Sequence, residues 1–130
     1  MSAREVEDAA LQRLDAVNPQ INVIVDCRPG LVREQADRVD SVLVRGNDPG
    51  PLAGVSVTVK INIDQAGFAT TDGSRLQDNL VAKFNSPVID NVVRAGAVLL
   101  GHSNAPTFPL RWFTKNLLRR RHTQNPRDRS

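Results

Sequence analysis

The chain has 130 residues, 40% of them hydrophobic and 24% charged, the length and composition of one globular domain, which excludes two full domains. Its single cysteine, Cys27, excludes an internal disulfide, and no Cys/His cluster has zinc-ligand spacing; a reducing compartment is expected, and neither a metal nor a cofactor is. No stretch approaches the ~20 apolar residues of a membrane span and Met1 leads into a charged segment, so the expectation is a cytoplasmic protein without membrane attachment.

The formal net charge of +3 is unevenly placed. Residues 1–110 carry 10 Lys/Arg against 13 Asp/Glu, whereas residues 111–130 carry 7 against 1. Phe108, Trp112 and Phe113 supply three of the five aromatic residues, and all eight glycines lie at or before Gly101. Composition therefore separates a helix/strand body, 1–110, from a basic and loosely ordered tail, 111–130.

Ser2 and Glu5 have the spacing of a capping box, and Val6, Ala10, Leu14 and Val17 mark one face of a helix that Asn18-Pro19 should stop. Ile21 to Val25 is β-branched apart from Asn22 and reads as a short extended segment. Pro29 suits the first turn of a second helix, with Val32, Ala36, Val39 and Leu43 as its buried stripe. Two glycines and two prolines between Gly46 and Pro51 make a loop. Val55, Val57, Val59, Ile61 and Ile63 then alternate with polar residues, so a strand over 55–62 places Ser56, Thr58 and Lys60 on one face. Residues 65–85 have no sustained period, and Thr70 to Ser74 reads as a turn. Ser86-Pro87 opens a third helix, with Val88, Val92 and Ala95 on its apolar face and Gly96 as its stop, and Ala97 to Leu100 reads as a buried strand. The order argues an α/β fold with the two strands in one sheet.

Lys60 ends the polar face of a strand, and sites in α/β sheets gather at strand ends. From pattern alone the stronger reading is a solvated lysine on the outer face of a half-buried strand. Its context is distinctive. Gly50-Pro51-Leu52-Ala53-Gly54-Val55-Ser56-Val57-Thr58-Val59-Lys60, followed by Asn62, Asp64, Gly67 and Thr71-Asp72-Gly73-Ser74, resembles the opening of the amidase signature family, GPL-x-GVPV-x-VKDN-x-D-x-x-G-x-x-T-x-GS. Ser86-Pro87-Val88 and the run Gly96 to Gly101 with Asn104 resemble its next helix and its strand ending in LGKTN. Asn18-Pro19-Gln20-Ile21-Asn22 resembles an upstream NP-x-(I/L)N segment, and Thr114-Lys115-Asn116 and Asn125-Pro126 resemble its T-x-N and NP elements.

The resemblance implies the N-terminal part of the amidase signature fold, a mixed sheet flanked by helices and incomplete here. It implies hydrolysis of a carboxamide to carboxylate and ammonia by a Ser-cis-Ser-Lys triad, with a small-molecule amide as substrate and Lys60 at the position of the triad lysine. A lysine acting as base near neutral pH must be uncharged, which requires burial and hydrogen bonds that favour the amine. Both family serines lie in or beside a GGSSGG-type run that follows the NP element. The chain has no glycine after Gly101 to frame an oxyanion, and Ser130 is no substitute, so a truncated amidase, inactive alone, is expected. Departures from the pattern point the same way: Ser56 stands where proline is usual, Ile61 where Asp is usual, and Arg119-Arg120-Arg121-His122-Thr123 replaces a shorter, glycine-containing stretch.

The alternatives are an amidotransferase A-type subunit of the same family, a non-catalytic assembly piece that pairs with a polypeptide bearing the serines, and a basic nucleic-acid-binding module. Arg111, Lys115, Arg119, Arg120, Arg121, Arg127 and Arg129 motivate the last, but supply only sequence-independent attraction, so no specific nucleic-acid partner is expected. His102 and His122 read as structural, Cys27 as an ordinary thiol, and Trp112 and Phe113 as core residues. Strand edges and apolar stripes left without partners make self-association an expectation.

Overall fold

A computed structural model describes residues 1–106 together with 115, 116, 118, 120 and 121. The elements run α1 (Ala3–Ile21), β1 (Ile24–Asp26), α2 (Pro29–Val44), β2 (Ser56–Lys60), a 3₁₀ turn (Arg75–Gln77), α3 (Pro87–Arg94), β3 (Val98–Ser103), β4 (Lys115–Asn116) and β5 (Arg120–Arg121). β3 is the centre of a three-stranded mixed sheet, antiparallel to β1 and parallel to β2, while β4 and β5 form a small antiparallel pair. Two apolar clusters cover the sheet. Ala3 and Leu11 of α1 with Val32, Ala36 and Val39 of α2 pack on Val98, and Ile89 and Val92 of α3 pack on Val57, Val59 and Leu99. The result is an α/β/α layering in which each fully buried large aliphatic side chain contributes roughly 1.5–3 kcal/mol.

The capping box forms as its spacing predicts: the Glu5 amide donates to Ser2 Oγ (3.1 Å) and the Ser2 amide to Glu5 Oε2 (2.7 Å). α1 does not stop at Asn18-Pro19. It continues to Ile21 and ends on Asn22 in the left-handed region (φ 55°), whose amide donates to Asn18 O at 2.7 Å. A proline in the last turn removes one hydrogen bond, and Asn18 adds two elsewhere. Its Nδ2 donates to Ile24 O (2.7 Å) and its Oδ1 accepts from the Ile24 amide (2.9 Å), pinning β1 against the end of the helix. Asp40 of α2 caps α1 from outside, accepting from the Ala3 and Arg4 amides at 2.7 and 3.0 Å.

Several side chains depart from the expected stripes. The buried line of α1 is Ala3, Glu7 and Leu11, with Val6, Ala10, Leu14 and Val17 only half-buried, because a carboxyl occupies a core position that hydropathy assigns to the surface. On α2, Val32, Ala36 and Val39 are buried, but Leu43 is 50% exposed near the helix end. On α3, Ile89 is the buried residue and Val88 faces outward; Ser86 sits at the cap position without making a cap bond. The extended segment predicted at 21–25 is β1 at 24–26, and β2 is confined to 56–60. β3 runs from Val98 to Ser103 rather than ending at Leu100, because the main chain of β1 and β2 supplies partners for the small and polar Gly101, His102 and Ser103. The stretch 65–85 contains the 3₁₀ turn and a bridge between Ala69 and Val81. Arg111, Trp112, Phe113, His122, Asn125-Pro126 and most of the 111–130 tail lie outside the described residues.

Asn18→Ala leaves the Ile24 amide and carbonyl without their clamp and is expected to cost about 1–3 kcal/mol in urea unfolding, against less than about 0.5 kcal/mol for the exposed Gln12→Ala.

Candidate functional site

β2 and β3 do not run in simple register. Ser56 and Val57 lie opposite Val98 and Leu99, but Thr58, Val59 and Lys60 lie opposite Gly101, His102 and Ser103, so Leu100 is an extra residue on β3. The bulge selects what shares a face with Lys60. It sets Ser103 beside Lys60 at the carboxyl ends of both strands, and puts His102 beside Val59 on the other face. The Ile61 amide donates to Ser103 O (3.1 Å) and extends the pairing one step beyond Lys60.

Immediately past Ser103 three distant parts of the sequence meet. Asn116 Nδ2 donates to Asn104 Oδ1 (2.8 Å) and Ala105 O (2.6 Å), and its Oδ1 accepts from the Leu118 amide (3.1 Å). Gly73, at φ 65°, completes the node: a Cβ there would lie 3.0 Å from Ala105 O and 3.1 Å from Asn116 Nδ2. Thr71 is buried beside it, its Oγ1 accepting from the Gly73 amide at 3.3 Å. The Thr71–Ser74 turn, the end of β3 and Asn116, recognisable separately as parts of motifs, are thus one hydrogen-bonded unit.

Lys60 itself is exposed, and among the described residues nothing buries it. A largely apolar cleft of about 220 Å³, lined by Val39, Val42, Pro49, Val93 and Ala97 together with Gln35 and Arg38, lies at the opposite end of the sheet from Lys60, before β3 begins. The strand-end position is the better candidate because it carries Lys60 and the node.

The other candidates lie apart. His102 is 1% exposed, edge-on to Phe68 with ring centroids 4.7 Å apart. Burial pushes its pKa down; Asp26 opposes that shift and Arg28 adds to it. Arg28 stacks 4.0 Å over Phe68 and donates to Gly67 O at 3.0 Å, a packing assembly that no local sequence signal announces. Cys27 is half-buried against the α1/α2 core, and burial, followed by the charges of Asp15 and Asp26, raises its thiol pKa, the opposite of an activated nucleophile. No group of three or more His, Cys, Asp or Glu among the described residues could hold a metal ion, and no helix among them is long and apolar enough to cross a membrane.

The class these features define is an α/β/α layered domain whose candidate chemistry sits where two parallel strands end. Residues 5–130 match the amidase family profile. The chain belongs to the amidase family. It is 38% identical over 116 residues, 89% of its length, to the A-type subunit of the glutamyl-tRNA(Gln) amidotransferase of Carboxydothermus hydrogenoformans, of which this covers 24%. It is 35% identical over 118 residues, 91% of its length, to the indoleacetamide hydrolase of Bradyrhizobium diazoefficiens, covering 22% of that protein. Among solved structures, it matches a chain of the inhibitor-bound vestigial complex linked to the origins of an s-triazine catabolic enzyme with TM-score 0.88 and 31% identity, over 92% of this chain and 26% of that one. The chain spans about a quarter of the length of the curated relatives it matches.

The node predicts a graded response. Asn116→Ala removes both donations and should destabilise the chain by about 2–3 kcal/mol, whereas Asn116→Asp sets a carboxylate against two acceptors and should cost more at neutral pH. Urea midpoints should rank wild type, Ala, Asp, and the Asp deficit should shrink at acid pH, where a protonated Asp can donate.

Proposed function

We propose that this chain is the lysine-bearing portion of an amidase signature enzyme that hydrolyses a small carboxamide to carboxylate and ammonia, with Lys60 as the triad base. The observation that supports this reading most is the position of Lys60 at the end of β2, on a face that the described residues leave open, next to Ser103 and the Gly73/Asn104/Asn116 node. In the complete reaction a neutral Lys60 would take a proton through a bridging serine from the nucleophilic serine, raising the nucleophilicity of that oxygen toward the carboxamide carbon. The 130 residues contain no GGSSGG-type run, so the two serines, the oxyanion donors and the cover that desolvates Lys60 would come from other residues. A cytoplasmic location fits the single half-buried thiol. An amidotransferase A-type subunit is the second reading, supported by the 38% identity to such a protein.

Ammonia release from a panel of aliphatic and aromatic amides tests the proposal. The 130-residue chain is expected to give none above background. Joined to the remaining three-quarters of an amidase relative, it should turn over, with Lys60→Ala lowering kcat by at least about 10²-fold and Lys60→Arg failing as well, since a guanidinium does not deprotonate. Lys83→Ala should leave the rate unchanged. Near-normal turnover in either Lys60 variant rejects the assignment.

A further inference from the structure

Glu7 is the least expected residue in the core. It is fully buried, on the line of α1 that carries Ala3 and Leu11. Ser56 Oγ of β2 donates to its Oε1 at 2.6 Å, and its Oε2 is buried with no hydrogen-bond partner among the described residues. We propose that Glu7 is a pH-sensitive latch of α1 on β2, held while its buried carboxyl carries a proton and loosened when it ionises, because the one bond from Ser56, although stronger to a carboxylate, does not replace the water that a buried charge loses.

The charged groups around α1 do not neutralise Glu7. On α1, Arg4 is engaged by Asp8 (3.1 Å) and Asp37 (2.7 Å). From α2, Arg33 pairs with Asp8 (2.7 Å), Asp40 is held by the α1 amides, and Glu34 and Arg38 pair with each other (3.7 Å). β2 brings Lys60, exposed at the far end of the strand, and β3 brings His102, on the opposite face of the sheet. An ionised Glu7 would be a buried charge satisfied by one hydroxyl, whereas the acid leaves only a neutral orphan. Burial accordingly pushes the Glu7 carboxyl above its ordinary value, with the Ser56 bond opposing that shift.

A carboxyl raised by folding stabilises the fold fully below the unfolded Glu value of ~4.3, and that stabilisation drains as pH rises through the raised value. Within that window the folding equilibrium constant falls by up to about tenfold per pH unit. Asp8, lowered chiefly by Arg33, and His102, lowered by burial, act in the opposite sense: their stabilisation is lost as pH falls. Both are retained in a Glu7 variant, so they cancel in the comparison.

The test is urea unfolding of the full chain and of Glu7→Gln, at low protein concentration, between pH 5 and 8. The folding constant of Glu7→Gln relative to wild type should rise with pH over that range, by no more than about tenfold per pH unit. In wild type, amide exchange corrected for its intrinsic pH dependence should accelerate in α1 more than in β3. Should Glu7→Gln fail to fold, the carboxyl ¹³C titration of Glu7 in the wild-type chain decides. A midpoint above the ordinary Glu value supports the latch. A midpoint at or below it, or a variant-to-wild-type ratio flat across the range, overturns it.

Discussion

The rest of the site depends on one extra residue in a strand. With Leu100 bulged out of the pairing between β2 and β3, the second half of β3 turns over: Ser103 joins the face of Lys60, and His102 joins Val59 on the side that carries Phe68. An unbroken register would put a histidine beside Lys60 and a serine in the core. The offset is held from the side. Gln35 of α2 accepts from the Leu99 amide (3.0 Å) and donates to the Leu99 carbonyl (3.3 Å), occupying the flank of β3 that β1 is too short to reach. Just beyond the bulge, Gly101 lets β1 close in, since a Cβ there would meet Asp26 O at 2.6 Å. A helix amide and a missing side chain thus keep the bulge where the Lys60 position needs it.

A second regularity is that helices meet strands and one another here through polar clamps as much as through apolar area. Asn18 and Gln35 each bond both main-chain groups of one strand residue, Asp40 caps a helix on which its own helix packs, and Glu7 reaches Ser56 through the core. Each of these fixes a distance and an angle that Val and Ala contacts leave adjustable. For a three-stranded sheet that matters, because small apolar clusters on their own specify orientation weakly.

What the sequence made legible follows the range of the underlying physics. The alternation from Val55 to Ile63 and the apolar repeats of the helices are local, and they located β2, α1, α2 and α3. The end of α1 is not legible locally, because Pro19 reads as a stop unless the Asn18 clamp is known. Nor is its buried line, because a carboxyl in a core position is legible only from its partner on β2. The strand character of Gly101, His102 and Ser103 comes from their neighbours, with little in the residues themselves to announce it. At the candidate site, Lys60 and the motifs around Gly73, Asn104 and Asn116 could be picked out by resemblance. Their convergence could not, since it depends on how β3 ends, and neither could the Arg28–Phe68–His102 stack, whose members share no motif.

The most direct test of this account is the strand register itself. Nuclear Overhauser contacts in the labelled chain should connect Lys60 with Ser103 and Thr58 with Gly101, with Leu100 lacking a β2 partner. Contacts connecting Lys60 with His102 and Thr58 with Leu100 would mean that there is no bulge. Such a register would place His102 rather than Ser103 beside the lysine, and would contradict the arrangement from which the candidate site is built.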